Sequence, residues 1–542
     1  MLARAALLAA AALAPPLAAR AQLLPDTGTT VQVDGLRQQL EGLLASGTGG
    51  NPTEPGWTVV PSLGVEQRWT DHLQGPGETS GSTFITELLP AVLINGQTSR
   101  SITTINYAPA LLYYSNNGDQ NRIDQNLNAL SQITLVPERL FIDLRGFAIT
   151  QPVYAGYAPG SSTALARQGE TETLVFSAHP YLRERFGDLG FAELGATVSR
   201  ASQDGLPAIR TAGQTFAGTP AQNTISEQEY LSLSSGPDFG RSSVALSLTA
   251  GQNTGTGGVN DSSRSEAKLT LGYAITRQLT ALAGLGYDTV HYGGTPAYNQ
   301  SGPEWSGGLR WTPNPDSSIS VSYGREQGLD SAQLDASYAP TARTHVYARY
   351  SEGIATGLEQ LLNAMNAATL DPLGNPIAAS NGAPLQIANS FYGVQNNLAQ
   401  VTSASLTAML LENRDSFSAS LSHQERRQLA ATTTSLTGPQ DSSGSYASLG
   451  WQHDFWPNLH SALFAQWGTA RNSIGSGRTR ITETSNPLVF SLRLSYAVSP
   501  TLSAYAQYSW SSQSYLTESS LAGVLPLNQP ASLVVLGARK SF

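Results

Sequence analysis

From residue 57 to the end of the chain, apolar and polar side chains alternate in steps of two, the period of a strand with one dry face and one wet face. Residues 317–325 show it cleanly: Ile319, Val321 and Tyr323 oppose Ser318, Ser320, Ser322 and Gly324. Residues 416–422 repeat it, with Phe417, Ala419 and Leu421 set against serines. Later, Leu502, Ala504, Ala506, Tyr508 and Trp510 oppose Ser503, Tyr505, Gln507 and Ser509. Soluble sandwiches alternate too, but their polar faces rarely read as Ser and Gly so uniformly. Tight connections such as Asn95-Gly96, Phe186-Gly187-Asp188, Thr276-Arg277 and Ser499-Pro500 alternate with longer polar loops. The loops fall near 72–82, 152–171, 202–223, 253–262, 354–397, 428–443 and 512–530. The expected fold is all-β: a transmembrane antiparallel up-and-down β-barrel of about 22 strands (20–24), with short periplasmic turns and long extracellular loops.

Composition agrees with a wall between lipid and water. Only 13% of residues are charged, about half the share in soluble domains. Glycine numbers 52 and tyrosine 21, which suits a wall half apolar and half small and polar. Cysteine is absent, which removes disulfides and thiolate metal sites. The net charge of −9 is thinly spread and argues against nucleic acid, which needs a concentrated basic patch. Beyond the first residues no apolar run reaches the ~18 residues of a spanning helix. Trp57 and Trp69, Tyr113 and Tyr114, Trp305 and Trp311, Trp451 and Trp456, and Trp510 gather near strand ends, where interfacial girdles want them.

The two ends of the chain set the compartment. Arg4, the apolar run 5–13 and Ala19-Arg20-Ala21 read as a signal peptide over 1–21. Residues 22–56 read as a periplasmic extension, with Leu36, Leu40, Leu43 and Leu44 at helical spacing inside 31–46. The barrel domain is 57–542. Its last stretch, 532–542, puts Val534, Leu536, Ala538 and Phe542 on one face and Gly537, Arg539 and Ser541 on the other. Such an ending resembles the closing strand of Gram-negative outer-membrane barrels, whose C-terminal aromatic is read by the assembly machinery. The resemblance implies outer-membrane lipid and that machinery as partners, and Phe542 as the assembly signal.

Two regions are more distinctive. One is WTVVPSLGVEQRWTDH at 57–72, followed by STFITELLPAVLING; the other runs from DPLGNP at 371–376 into LLENRDSFSASLSHQERR, ending at Arg427. Together they resemble the outer-membrane barrel family that accompanies PEP-CTERM and exopolysaccharide gene clusters. His72 stands where that family usually carries Asn. The resemblance implies a role in exopolysaccharide export or cell-surface assembly, with exopolysaccharide or export-complex proteins as partners. It carries over no catalytic residues.

The alternation also points ionisable groups into the lumen, because charge facing lipid costs ~2–4 kcal/mol at midplane. These are Glu66, Arg68, Asp143, Arg145, Arg183, Glu193, Lys268, Arg310, Asp335, Arg349, Arg493 and Arg539. They either pair to stabilise the wall or line a path for anionic polymers, since guanidinium matches carboxylate and phosphate. The seven histidines are scattered, and His453-Asp454 are adjacent residues that a strand turns to opposite faces. No nucleophile has an oriented base, and Gly255-Thr256-Gly257-Gly258 lacks the lysine of a phosphate loop, so no enzyme, cofactor or metal is expected. A loop longer than ~15 residues is usually functional or disordered. That over 353–397 carries a helical stripe of Leu358, Leu361, Leu362 and Met365, and is expected to fold into or across the barrel mouth. The expected function is an export-associated channel, with a non-conducting scaffold barrel as the alternative. A TonB-type transporter is disfavoured, because 22–56 is short for the large plug such transporters carry.

Overall fold

Each strand hydrogen-bonds to its chain neighbours, and the last strand returns to the first, so the sheet has no free edge. The computed structural model describes residues 56–542 except 72, 76–77, 117, 153–169, 206–208, 212–213, 217–220, 257–260, 295–296, 371–375, 379–397, 431–440, 475–480 and 520–522. The expected signal peptide, the 31–46 helix and His72 lie outside the described residues.

The main sheet is drawn from 24 strand segments. Ser101–Tyr107 and Ala110–Tyr114 both pair with Thr83–Gln97 and make one interrupted stave; Arg122–Asp124 and Leu127–Val136 make another. Twenty-two staves result. They are β1 (Gly56–Thr70), β2 (Thr83–Gln97), β3 (Ser101–Tyr107 with Ala110–Tyr114), β4 (Arg122–Asp124 with Leu127–Val136), β5 (Leu140–Pro152), β6 (Glu170–Arg185) and β7 (Gly190–Gln203). Then come β8 (Gln222–Ser235), β9 (Ser242–Thr256), β10 (Ser262–Ala274), β11 (Leu279–Tyr292), β12 (Tyr298–Trp311), β13 (Ser318–Glu326), β14 (Leu329–Thr341) and β15 (Thr344–Ala355). Helix α1 (Gly357–Ala367) precedes β16 (Leu398–Leu411), β17 (Asp415–Ala430), β18 (Asp441–Trp456), β19 (Leu459–Ile474), β20 (Ile481–Ser499), β21 (Leu502–Ser519) and β22 (Gly523–Ser541). β22 closes on β1 antiparallel, from Ser62 opposite Ser541 to Thr70 opposite Leu533. Closure matters because an unpaired strand edge cannot be solvated inside a bilayer.

Turns are short at the end that holds 98–100, 137–139, 342–343 and 500–501, and mostly longer at the other. Two connections at that other end are short. β13 and β14 meet through Gln327 and Gly328 alone, both with positive φ, as a two-residue hairpin turn requires. The loop expected over 512–530 is mostly strand, since β21 runs to Ser519 and β22 starts at Gly523. Backbone pairing continues there although the apolar alternation fades.

The outward face is a continuous apolar belt. Across neighbouring staves, Leu269, Leu285 and Trp305 share one row, and Ala267, Tyr287 and Pro303 the next. Leu285 is 62% exposed, and Tyr323, Leu421, Leu449 and Leu536 are similarly bare. A belt of this extent far exceeds the ~300–600 Å² apolar patches of soluble monomers and is a surface made for lipid. The inner face is less uniform than the alternation suggests. Tyr113 points outward, but Tyr114, expected in a girdle, is turned inward and packs with Ile85, Leu89, Ala110 and Leu112. β2 is apolar on both faces, so period-two reading alone does not reveal which side is wet.

Candidate functional site: the inner wall and the helix across it

The cross-strand register sets all twelve expected ionisable residues on the inner face, in separate groups rather than one site. The tightest group lies at the closing seam. Arg68 Nη2 is 2.7 Å from Glu66 Oε2 and 2.5 Å from Glu87 Oε2, and all three side chains are buried. The Tyr505 hydroxyl donates to Glu66 Oε1, and the Arg493 guanidinium lies 4.2 Å from the centre of the Tyr505 ring. Arg539 Nη2 donates to the carbonyl of Leu89 at 3.3 Å. Register explains the meeting: Glu66 stands opposite Glu87 on one side and Gly537 on the other. A Cβ at Gly537 would come within 2.3 Å of the Tyr505 ring, so the missing side chain is what lets Tyr505 reach across to Glu66.

Elsewhere Arg183 Nη2 meets Glu193 Oε2 at 2.6 Å. Tyr230 donates to the other oxygen of Glu193 at 2.7 Å, and His179 Nε2 lies 3.0 Å from the Tyr230 hydroxyl. Asp143, with Arg145 two residues along, sits opposite His179 in the register. Lys268 pairs with Glu326. Arg310, Ser320, Asp335 and Arg349 form one row across β12–β15, with Arg310 and Arg349 exposed to the lumen. Several basic residues are therefore matched by carboxylates on the wall itself.

The second feature is α1. Its start is a reciprocal cap: the Glu359 N–H donates to Thr356 Oγ1 at 3.2 Å, and the Thr356 N–H donates to Glu359 Oε2 at 2.8 Å. Leu358, Leu361 and Leu362 bury their stripe against Val175 of β6, Ala201 of β7 and Phe147 of β5. Glu359 Oε1 accepts from Asn253 Nδ2 of β9 at 2.5 Å and from the Tyr292 hydroxyl of β11 at 3.2 Å. Gln360 Oε1 accepts from Arg426 Nη1 of β17 at 2.6 Å. The helix is thus tied to three separate sectors of the inner wall, which requires it to lie inside the barrel. The side chain of Met365 lies outside the described residues. Burial pushes the Glu359 carboxyl above its ordinary range, against the hydrogen bonds from Thr356 and Tyr292 and the charge of Arg264, which act to lower it.

Glu87, Tyr505, Glu359, Gln360, Asn253, Tyr292 and Arg426 were not singled out by sequence. The T-x-x-E pattern at 356–359 is a local signal for the helix start. The rest are long-range meetings that no local pattern encodes. His453 and Asp454 do not act together: His453 Nδ1 bonds Asp415 at 2.9 Å, and His460 Nδ1 bonds Asp454 at 2.6 Å. Among the described residues no three His, Cys, Asp or Glu stand together as a metal site would need.

No family model matches the chain, and no curated protein matches it in sequence. Solved structures of similar form include the FrpB iron transporter from Neisseria meningitidis (F5-1 variant), at 12% identity and a TM-score of 0.47, covering 93% of this chain and 84% of that one. The siderophore receptor PirA from Acinetobacter baumannii aligns at 9% identity and a TM-score of 0.48, covering 90% and 81%. A mutant of the ferric enterobactin receptor PfeA from Pseudomonas aeruginosa aligns at 12% and 0.45, covering 90% and 81%. These likenesses are loose, and the barrel assignment stands on the closed hydrogen-bonded sheet itself.

Proposed function

We propose that the chain is a channel of the Gram-negative outer membrane whose lumen is narrowed by α1. The observation that carries this reading is the anchoring of α1 to three sectors of the inner wall, inside a barrel wide enough at 22 strands to leave a lumen. The apolar belt, the leader-like residues 1–21 and the closing strand ending in Phe542 support the location. An exopolysaccharide or surface-assembly role is supported only by the resemblance of 57–72 and 371–427. It is tested by measuring exported polysaccharide in a deletion strain. Membrane fractionation, heat-modifiable gel mobility and planar-bilayer recording test the channel itself. A stable conductance from the folded barrel is expected; a soluble protein with no mobility shift would sink the proposal.

One observation favours a non-conducting scaffold barrel instead. On the inner wall of β2 and β3, Ile85 and Glu87 are 0% exposed and Tyr114 only 1%, which is more cover than a water-filled lumen gives its wall. A scaffold predicts no conductance even after α1 is removed.

A further inference from the structure

β11 and β12 carry an arrangement that the channel reading leaves unused. Acid and glycine alternate diagonally across the pair: Gly286 stands opposite Glu304, and Asp288 opposite Gly302. All four belong to the inner face. A Cβ on Gly286 would clash with the Ala267 carbonyl at 2.6 Å and stand 3.3 Å from Glu304 Oε2, whereas a Cβ on Gly302 would meet nothing nearer than Gln300 Nε2 at 3.8 Å. The recess beside the two carboxyl groups therefore opens on the Gly302 side. Glu304 is 3% exposed and Asp288 1%. Even so, Glu304 Oε1, Glu304 Oε2 and Asp288 Oδ2 have no hydrogen-bond donor among the described residues.

The cations on the adjoining wall each pair with another carboxylate, although the Lys268 charge also acts on Glu304. Arg264 Nη2 is held by Glu266 at 2.7 Å, and Lys268 is held by Glu326. Two covered carboxylates without a hydrogen-bond donor, with Lys268 acting on Glu304 only while it is held by Glu326, are costly, and a cation in the recess removes that cost. The donors are all oxygen, which selects hard ions over soft ones. Because no three acidic or imidazole groups converge there, the protein supplies two carboxylates and water completes the shell. That division is the one Mg²⁺ accepts and Ca²⁺ tolerates.

We propose that Glu304 and Asp288 form a divalent-cation site on the inner wall that ties β11 to β12. The barrel would be refolded in EDTA and then titrated with Ca²⁺ or Mg²⁺, reading calorimetric binding and the urea midpoint. The expected result is one saturable site whose occupancy raises the midpoint. Glu304→Gln should weaken that site at least tenfold, and Glu304→Gln with Asp288→Asn should abolish it while the folded gel mobility persists. If the double variant fails to fold, Glu304→Gln alone carries the test. A wild-type barrel indifferent to both ions overturns the proposal, as carboxyls that simply hold protons would produce. So does a Glu304→Gln variant that binds with wild-type affinity.

Discussion

At the residue scale the seam is the most exacting place in the wall. Arg68 stands between two buried carboxylates, so removing it leaves Glu66 and Glu87 facing each other across the register with only the charges of Arg493 and Arg122 to offset them. Breaking such a group by deleting one partner costs ~3–5 kcal/mol, whereas replacing all of it by apolar residues is often neutral. Arg68→Ala should therefore lower the urea midpoint of the refolded barrel by about that free energy. The triple change Arg68→Met, Glu66→Leu, Glu87→Leu should recover most of the loss. An Arg68→Ala barrel with wild-type stability would mean that the seam charges are solvated rather than buried. Glu66 and Arg68 were legible because β1 alternates cleanly. Glu87 was hidden because its neighbours on both faces of β2 are apolar. Gly537 was legible as an inward position, but not as the gap through which Tyr505 passes.

At the element scale α1 is held by a leucine stripe and by a covered carboxylate. The stripe was readable from spacing; the wall it meets was not, because Val175 and Ala201 are distant in sequence. Undocked, Glu359 would titrate at the ordinary ~4.3, while docked its carboxyl lies higher because burial disfavours its charge. The docked helix thus binds the proton more tightly. Its docking is strongest below the undocked value and weakens as pH rises through the docked one. Thr356, Tyr292 and Arg264 limit the shift, and Asn253 also donates to the group. Conductance should accordingly be lower in acid than at neutral pH, and Glu359→Gln should flatten the lower part of that profile. A Glu359→Gln channel with the wild-type pH response would assign the response to another group. Three buried leucines contribute ~1.5–3 kcal/mol each. Leu361→Asp should therefore release the helix at every pH, measurable as faster protease cleavage within α1.

At the scale of the whole molecule, strand number and connectivity were the most legible features. Short turns punctuate the alternation often enough that the staves could be counted to 22. The extent of strands near 512–530 was not legible, because backbone pairing runs on where the wall no longer needs an apolar face. Closure by β22 leaves the Phe542 side chain 72% exposed, although its N–H donates to the Pro61 carbonyl at 2.9 Å. Phe542→Ala should therefore cut the amount of barrel reaching the membrane in cells, with little change in the stability of barrel refolded in detergent. Equal cellular levels would remove the aromatic terminus as an assembly signal. If α1 obstructs an otherwise open lumen, single-channel recording of a variant lacking residues 357–390 will show it most directly. Conductance should rise clearly over that of the wild-type barrel, with heat-modifiable mobility retained; an unchanged conductance in the correctly inserted variant would contradict an obstructing α1.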